Sequence, residues 1–287
     1  MPMRIGVVDA GSNTIRLLVA SVEGSEVVPI EKGRIRLSLG EEIERRGAVS
    51  TTSIAAAAKA VRKFCTVARR HGVDALDVFV TAPGRQSTNA SELVKALQRA
   101  AGHPVRVLST EEEGRLAYDG AIATADVDLP EKIAVCDVGG ASTEIAVGSP
   151  GVPPKWVTSI DLGSVRLTAR STDVYHARSE AAEAFAEVTA PSVELALAVG
   201  GSARATTRLV GAWLGEAELA EALRLVETFD ARAIARRFDV DRARARILPA
   251  GVAILGEVQQ RLGVPLYVCD GGIREGAVLA TVAALAA

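Results

Sequence analysis

Two stretches of this chain echo one another. Arg4–Val19 reads RIGVVDAGSNTIRLLV and Lys132–Val147 reads KIAVCDVGGASTEIAV. Each is an apolar run, an aspartate, a short turn of Gly with Ser, Asn or Thr, and a second apolar run. Short apolar runs bounded by turn residues predict strands, so each stretch predicts a hairpin. The turn glycines suit positions of positive φ. The two copies lie about half the length of a 287-residue chain apart. That is the spacing of an internal duplication into two similar domains, and the length itself suits two domains.

The remaining pattern alternates strands with helices, which predicts an α/β fold. Helices are expected over Thr51–Arg70, Asn89–Ala101, from Ser109 or Thr110 onward, Ser164–Arg170, Arg178–Val188, to about 210, about 216–246, Pro249–Leu262 and Arg274–Ala286. Strands are expected at Asp77–Thr81, Val105–Leu108, Trp156–Ile160, Leu195–Val199 and Leu266–Cys269. The polar, proline-containing ADVDLP at 125–130 marks a boundary. The expected domains are therefore 1–125 and 126–287, with the last helix free to pack back on the first.

Composition narrows the function classes. Hydrophobic residues make up 48% and aromatics 3%, so the core is aliphatic. A net charge of −2 argues against a surface that generally coats nucleic acid, while a local cluster of Arg and backbone N–H groups could still meet a polyanionic substrate. Cys65, Cys136 and Cys269 are far apart and form no Cys-x-x-Cys pair, which speaks for buried thiols and against disulfides or zinc. No run approaches the roughly 20 apolar residues of a spanning helix, so a soluble, cytoplasmic protein is expected.

The turns carry the chemistry. In Asp9-Ala10-Gly11-Ser12-Asn13-Thr14, glycine lets backbone approach an anion and successive N–H groups form an anion nest. Asp9 would repel a phosphate unless a cation sat between them, which points to Mg²⁺. One such loop is equally well an ordinary hairpin turn. The second, Asp137-Val138-Gly139-Gly140-Ala141-Ser142-Thr143-Glu144, repeats the logic and adds a carboxylate seven residues after Asp137. Facing one another, two such loops could grip a phosphate chain. Glu111-Glu112-Glu113-Gly114-Arg115 opens a helix, where acidic residues favour the dipole; one of these carboxylates aimed at substrate could activate water. Arg85, in TAPGRQSTN, could clamp phosphate oxygens. LGSVR with Arg166, VGGSAR at 199–204 and DGGIRE at 270–275 place further glycines at strand-to-helix turns, where simple packing explains them as well.

Taken in order, DAGSNTIRLLV, TAPGR…N, EEEGR, DVGGASTE, LGSVRLT, VGGSARA and DGGIREG resemble the exopolyphosphatase / guanosine pentaphosphate phosphatase (Ppx/GppA) family. The resemblance runs from about residue 4 to about residue 280. It implies two ribonuclease H-like domains of the actin, Hsp70 and sugar-kinase type with an interdomain cleft. It also implies Mg²⁺- or Mn²⁺-assisted hydrolysis that releases terminal orthophosphate from polyphosphate or guanosine pentaphosphate, and a homodimer. By this resemblance Glu113 matches the water-activating glutamate. Asp137 and Glu144 match the second-loop acidic pair, associated with the divalent ion and the catalytic centre; Asp9 joins them as a metal ligand by the charge argument above. Gly11, Ser12, Asn13, Gly139, Gly140, Ser142 and Thr143 match the phosphate loops. Arg85 and Asn89 match the Thr…Arg…Asn element, and Arg36 a mobile Arg-Leu segment.

Three departures stand out. Ala141 replaces a third glycine of the second loop, at a cost of about 1 kcal/mol if its φ is positive. Pro83 and Gly84 alter the presentation of Arg85. The region 224–246 lacks an expected Glu-Arg pattern. The chain also ends soon after DGGIREG, which suggests a short type that favours short polyphosphate or a compact nucleotide. The rival readings are a kinase of the same superfamily and a non-catalytic alarmone or polyphosphate sensor. The Glu113 element favours attack by water over the first, and retention of three carboxylates speaks against the second.

Overall fold

The computed structural model describes residues 2–24, 26–171 and 173–286. The chain divides into two compact units: Met1–Thr124 together with Ile273–Ala287, and Ala125–Gly272.

The first unit contains β1 (Met3–Ala10), β2 (Thr14–Glu23), β3 (Glu26–Arg36), α1 (Leu39–Arg46), α2 (Thr51–Arg70), β4 (Ala75–Val80), α3 (Ala82–Gln86), α4 (Ala90–Ala101), β5 (Arg106–Val107) and α5 (Thr110–Thr124). The second contains β6 (Ile133–Val138), β7 (Thr143–Gly148), β8 (Trp156–Ile160), α6 (Ser164–Arg170), α7 (Val174–Ala184), β9 (Leu195–Val199), α8 (Gly200–Val210), β10 (Trp213–Leu214), α9 (Glu216–Thr228), α10 (Ala231–Arg237), α11 (Arg242–Leu262) and β11 (Leu266–Val268). The closing helix α12 (Ile273–Ala286), which the sequence division counts with the second half, packs on α5 and β1 of the first unit.

The echo in the sequence is an echo in topology. The first sheet has the order β3-β2-β1-β4-β5 and the second β10-β11-β9-β6-β7-β8. In each, a hairpin (β1–β2, β6–β7) is extended by a third antiparallel strand, and a strand reached through helices returns parallel to the first (β1 with β4, β6 with β9). Residues 5–10 of β1 are all buried, the pattern of a strand covered on both faces. β3 is the edge; its Pro29 sits where the register with β2 slips between Val19 and Ala20, a position that needs no ladder donor.

Helix α2 buries Ile54, Ala57, Ala60, Val61, Phe64, Cys65 and Ala68 at helical spacing, and Ser50 caps it by accepting from the Ser53 N–H. Its alanines keep the helix close to the sheet, so an aromatic-poor chain still closes a core. Because parallel strands end on the same side, the loops after β1 and β4 share one edge of the first sheet, and those after β6, β9 and β11 share one edge of the second. Ligands of α/β sheets bind at such edges.

Two helices differ from expectation at their starts. α7 begins at Val174 and not at Arg178, because the Asp173 carboxylate accepts from the His176 N–H and fixes the N-terminus there. α11 begins at Arg242, not at Pro249. Asp241 accepts from the N–H groups of Ala243 and Arg244, and the helix runs through the proline with one ladder bond missing. Asp241→Ala should therefore lower stability by about 1 kcal/mol, read from urea denaturation. A change below about 0.3 kcal/mol would show that packing alone sets the start of α11.

Candidate active site

The two loops are built alike. In the first, the Gly11 N–H donates to the Thr14 carbonyl at 3.1 Å and closes a turn. The carbonyl of Asn13 accepts from Leu37 and Ser38, and that of Ser12 from Gly40 at 2.7 Å. In the second, the Gly139 N–H donates to the Ser142 carbonyl at 3.0 Å, the Gly139 carbonyl accepts from Ser164, and the Gly140 carbonyl accepts from Val165 and Arg166. The chain that follows the third strand thus supplies the donors in both units.

A trans peptide holds its C=O and the next N–H antiparallel. With the carbonyls of Ser12, Gly139 and Gly140 turned back into the fold, the N–H groups of Asn13, Gly140 and Ala141 point the other way. Outward N–H groups make a loop an anion cradle.

The loop glycines do not serve positive φ, and at Gly139 space decides: a Cβ there would lie 2.9 Å from the Ser142 carbonyl oxygen. Gly11, Gly139 and Gly140 do not have positive φ, contrary to the reading from the turn sequence, and neither does Ala141. Alanine at 141 therefore carries no backbone strain. A side chain is excluded elsewhere. A Cβ on Gly163, at the head of α6, would lie 2.5 Å from the Gly140 carbonyl carbon, so glycine is what lets α6 reach the loop.

The carboxylates divide between the units. Asp137 and Glu144 are direct partners across β6–β7, and Glu144 is buried and accepts from Ser159 Oγ at 2.9 Å. Like charges directly opposite are destabilising, so this pair is suited to a cation between them. Asp9 occupies the equivalent position of the first unit, but its cross-strand partner is Arg16. No group of three or more His, Cys, Asp or Glu side chains able to hold a metal occurs among the described residues. The carboxylates that one unit presents together are Asp137 and Glu144.

The three glutamates of α5 part company. Glu111 pairs with Arg115 one turn on. Glu112 forms a capping box with Ser109: its carboxylate accepts the Ser109 N–H at 2.8 Å, and Ser109 Oγ accepts the Glu112 N–H. That backbone bond, against a smaller opposing effect of burial, holds Glu112 below the usual carboxylate range. Glu113 is buried and ion-paired with Arg85.

The other expected site residues take more structural positions. Arg85 Nη1 donates to Glu113 and to the Leu108 carbonyl, while its Nη2 is buried with no hydrogen-bond partner. Asn89 brackets Val49, accepting its N–H at 3.0 Å and donating to its carbonyl at 2.8 Å. It therefore fixes the turn ahead of α2. Arg36 ends β3 opposite Thr14. The segment after it is tied to the first loop and includes Ser38 at φ 54, a left-handed non-glycine residue. Ser12 and Ser142 are buried at their loops. Thr143 directs its hydroxyl to the Leu162 carbonyl at 2.7 Å. Arg166 is buried and grips Asp161 through carbonyl and carboxylate.

Two further residues belong with the second loop: Gly200, from the VGGSAR turn, and Arg244, which the sequence did not single out. Gly200, at φ +91 where β9 turns into α8, lies so close to Asp137 Oδ1 that a side chain would overlap it. The Arg244 side chain lies over Gly201. Glycine at a strand-to-helix turn signalled the first; Arg244 is one of several arginines in a helical stretch, with nothing to mark it. Cys65, Cys136 and Cys269 are free and buried, and burial pushes the Cys269 thiol up to about 12, so it supplies no thiolate at neutral pH.

The sequence profile of the Ppx/GppA phosphatase family matches residues 18–228. A protein of Streptomyces coelicolor is 34% identical over 166 residues, 58% of this chain and 49% of that one, so the match spans about half of the relative's length. Exopolyphosphatase 1 of Mycobacterium tuberculosis is 27% identical over 307 residues, covering 96% of this chain and 88% of the relative. The crystal structure of the Aquifex aeolicus Ppx/GppA family member has the same fold, with a TM-score of 0.84 over 99% of each chain at 22% identity.

The capping box gives a pH test. The folded pKa of Glu112 lies below its unfolded value, so its contribution is present above the unfolded pKa, about 4.3, and is lost as pH falls through the folded one. Glu112→Gln should lower the urea midpoint at pH 7, and the gap to the unsubstituted protein should shrink as pH falls below the unfolded pKa and on through the folded one. A gap of equal size across that range would contradict the assignment.

Proposed function

The chain belongs to the Ppx/GppA phosphatase family, and we propose that it is an exopolyphosphatase, releasing terminal orthophosphate from inorganic polyphosphate. The observation that carries this reading is the pair of loops whose carbonyls are bonded inward and whose N–H groups face out. The choice of polyphosphate is supported by the near full-length relationship to the mycobacterial exopolyphosphatase.

In this reading the N–H groups of Asn13, Gly140 and Ala141 donate to phosphate oxygens and stabilise the charge spread over them as the P–O bond breaks. Glu113 accepts a proton from the attacking water. The water oxygen bonds to the terminal phosphorus, the bridging P–O bond breaks, and the shortened chain leaves with the bond's electron pair. Arg85 fixes the Glu113 carboxylate, and the Leu108 carbonyl fixes Arg85 in turn. The unpartnered Arg85 Nη2 is a donor that a phosphate oxygen would satisfy.

The proposed cofactor is Mg²⁺ or Mn²⁺, with Asp137 and Glu144 as its protein ligands. Two carboxylates suit an ion that keeps several waters and takes its remaining ligands from phosphate. When bound, it supplies charge neutralisation and polarises the phosphoryl group. Asp9 is the corresponding carboxylate of the first loop, with Arg16 as its cross-strand partner. Asn89, Thr143 and Arg166 act through the loops and turns that they hold, while Arg36, at the end of β3 opposite Thr14, is proposed to reach phosphate.

Phosphate release with Mg²⁺ from short polyphosphate, long polyphosphate and guanosine pentaphosphate, run in parallel, tests the reading. Release from polyphosphate that falls at least about a hundredfold in Glu113→Gln, with binding kept, is the expected result. Release from the nucleotide alone would transfer the activity to guanosine pentaphosphate. Unchanged turnover in Glu113→Gln would remove the residue from the mechanism.

A further inference from the structure

Helices α2 and α4 lie side by side and parallel. Asn89, just ahead of α4, holds Val49, just ahead of α2, while Arg69 near the end of α2 donates to the Ala101 carbonyl at the end of α4 at 2.6 Å. Between them is an open groove of about 480 Å³. It is lined by Ile54, Ala55, Ala58, Ala96 and Ala100, with the cations Arg62, Lys95 and Arg99.

The three cations are exposed, and none makes an ion pair or side-chain hydrogen bond among the described residues. Glu92 is the one carboxylate lining the groove. Lys95 and Arg99 are one turn apart on α4 and so share a face. Arg62 stands roughly 16 Å down α2 from Thr51, at 1.5 Å per residue. The head of the groove adjoins Asn89, four residues after Arg85.

We propose that this groove is a second polyanion site, which holds a stretch of a long polyphosphate chain away from the reacting end. The inference rests on polyphosphate being the substrate. Unpaired cations facing one another across a groove repel each other, and a bound polyanion relieves that repulsion. The alanines among its lining residues leave room for a narrow, unbranched chain. Guanidinium groups match phosphate oxygens in fork geometry, which favours phosphate over a chain of isolated carboxylates.

The test uses the whole protein and the triple variant Arg62→Glu/Lys95→Glu/Arg99→Glu. All three positions are exposed, so the fold should be kept, and the melting temperature checks this. Binding of long polyphosphate is titrated without divalent metal over a range of salt. At low salt the variant should bind at least tenfold more weakly. The slope of log affinity against log salt should flatten by about 2, since each lost contact on a flexible polyanion removes about 0.7. Turnover of tripolyphosphate should not change, whereas KM for long chains should rise.

Equal affinity and equal slope in the two proteins would overturn the groove site. So would binding of polyglutamate as tight as that of polyphosphate of equal charge. The outcomes separate from those for the function itself. A variant that loses long-chain affinity while neither protein hydrolyses polyphosphate would sink the substrate reading and leave the groove standing. A protein that hydrolyses polyphosphate equally well and binds it equally well with or without the three cations would sink the groove alone.

Discussion

The inward turn of three carbonyls is the constraint from which the site follows. Ser12, Gly139 and Gly140 each give their C=O to the chain that leaves the third strand of their unit. Peptide planarity then dictates where the next N–H points. A buried peptide group needs a partner for each polar atom. The fold supplies partners on the carbonyl side, and the N–H side is left for a ligand. Gly163 is required because α6 must come within contact of the loop to make those bonds. The segment after β3 does the same work in the first unit, at the cost of a left-handed Ser38.

The two units use one frame for different electrostatics. The position seven residues after the loop aspartate is Arg16 in the first unit and Glu144 in the second, and in both it is the aspartate's direct cross-strand partner. The first aspartate therefore faces a cation across its hairpin, while the second faces a carboxylate. This asymmetry is why the proposed metal belongs with Asp137 and Glu144. On α5, sequence-adjacent glutamates likewise take three separate jobs: Glu111 a surface ion pair, Glu112 a cap, Glu113 a buried pair with Arg85.

Much of this was legible in the sequence. The repeated Asp–turn pattern predicted both hairpins and the duplicated topology, because strand-length apolar runs and turn residues are local signals. The capping role of Glu112 was foreseen only as an acidic first turn. Other features depend on contacts that local pattern does not encode. The positive φ expected in the loops is absent; at Gly139 and Gly163 it is close backbone approach that leaves no room for a side chain. Asn89 and Thr143 look like ligand-binding polar residues, yet their polar atoms serve backbone groups remote in sequence. The start of α11 was misplaced because Pro249 resembles a first-turn proline, whereas the Asp241 cap holds the helix seven residues earlier.

The claim that the loops present their N–H groups to phosphate is tested most directly by amide NMR of the Glu113→Gln protein as tripolyphosphate and Mg²⁺ are added. The account predicts that the amide signals of Asn13, Gly140 and Ala141 shift and gain protection from hydrogen exchange, while those of Gly11 and Gly139, already bonded within their turns, gain none. Saturation of the protein with tripolyphosphate while Asn13, Gly140 and Ala141 stay unmoved would contradict it.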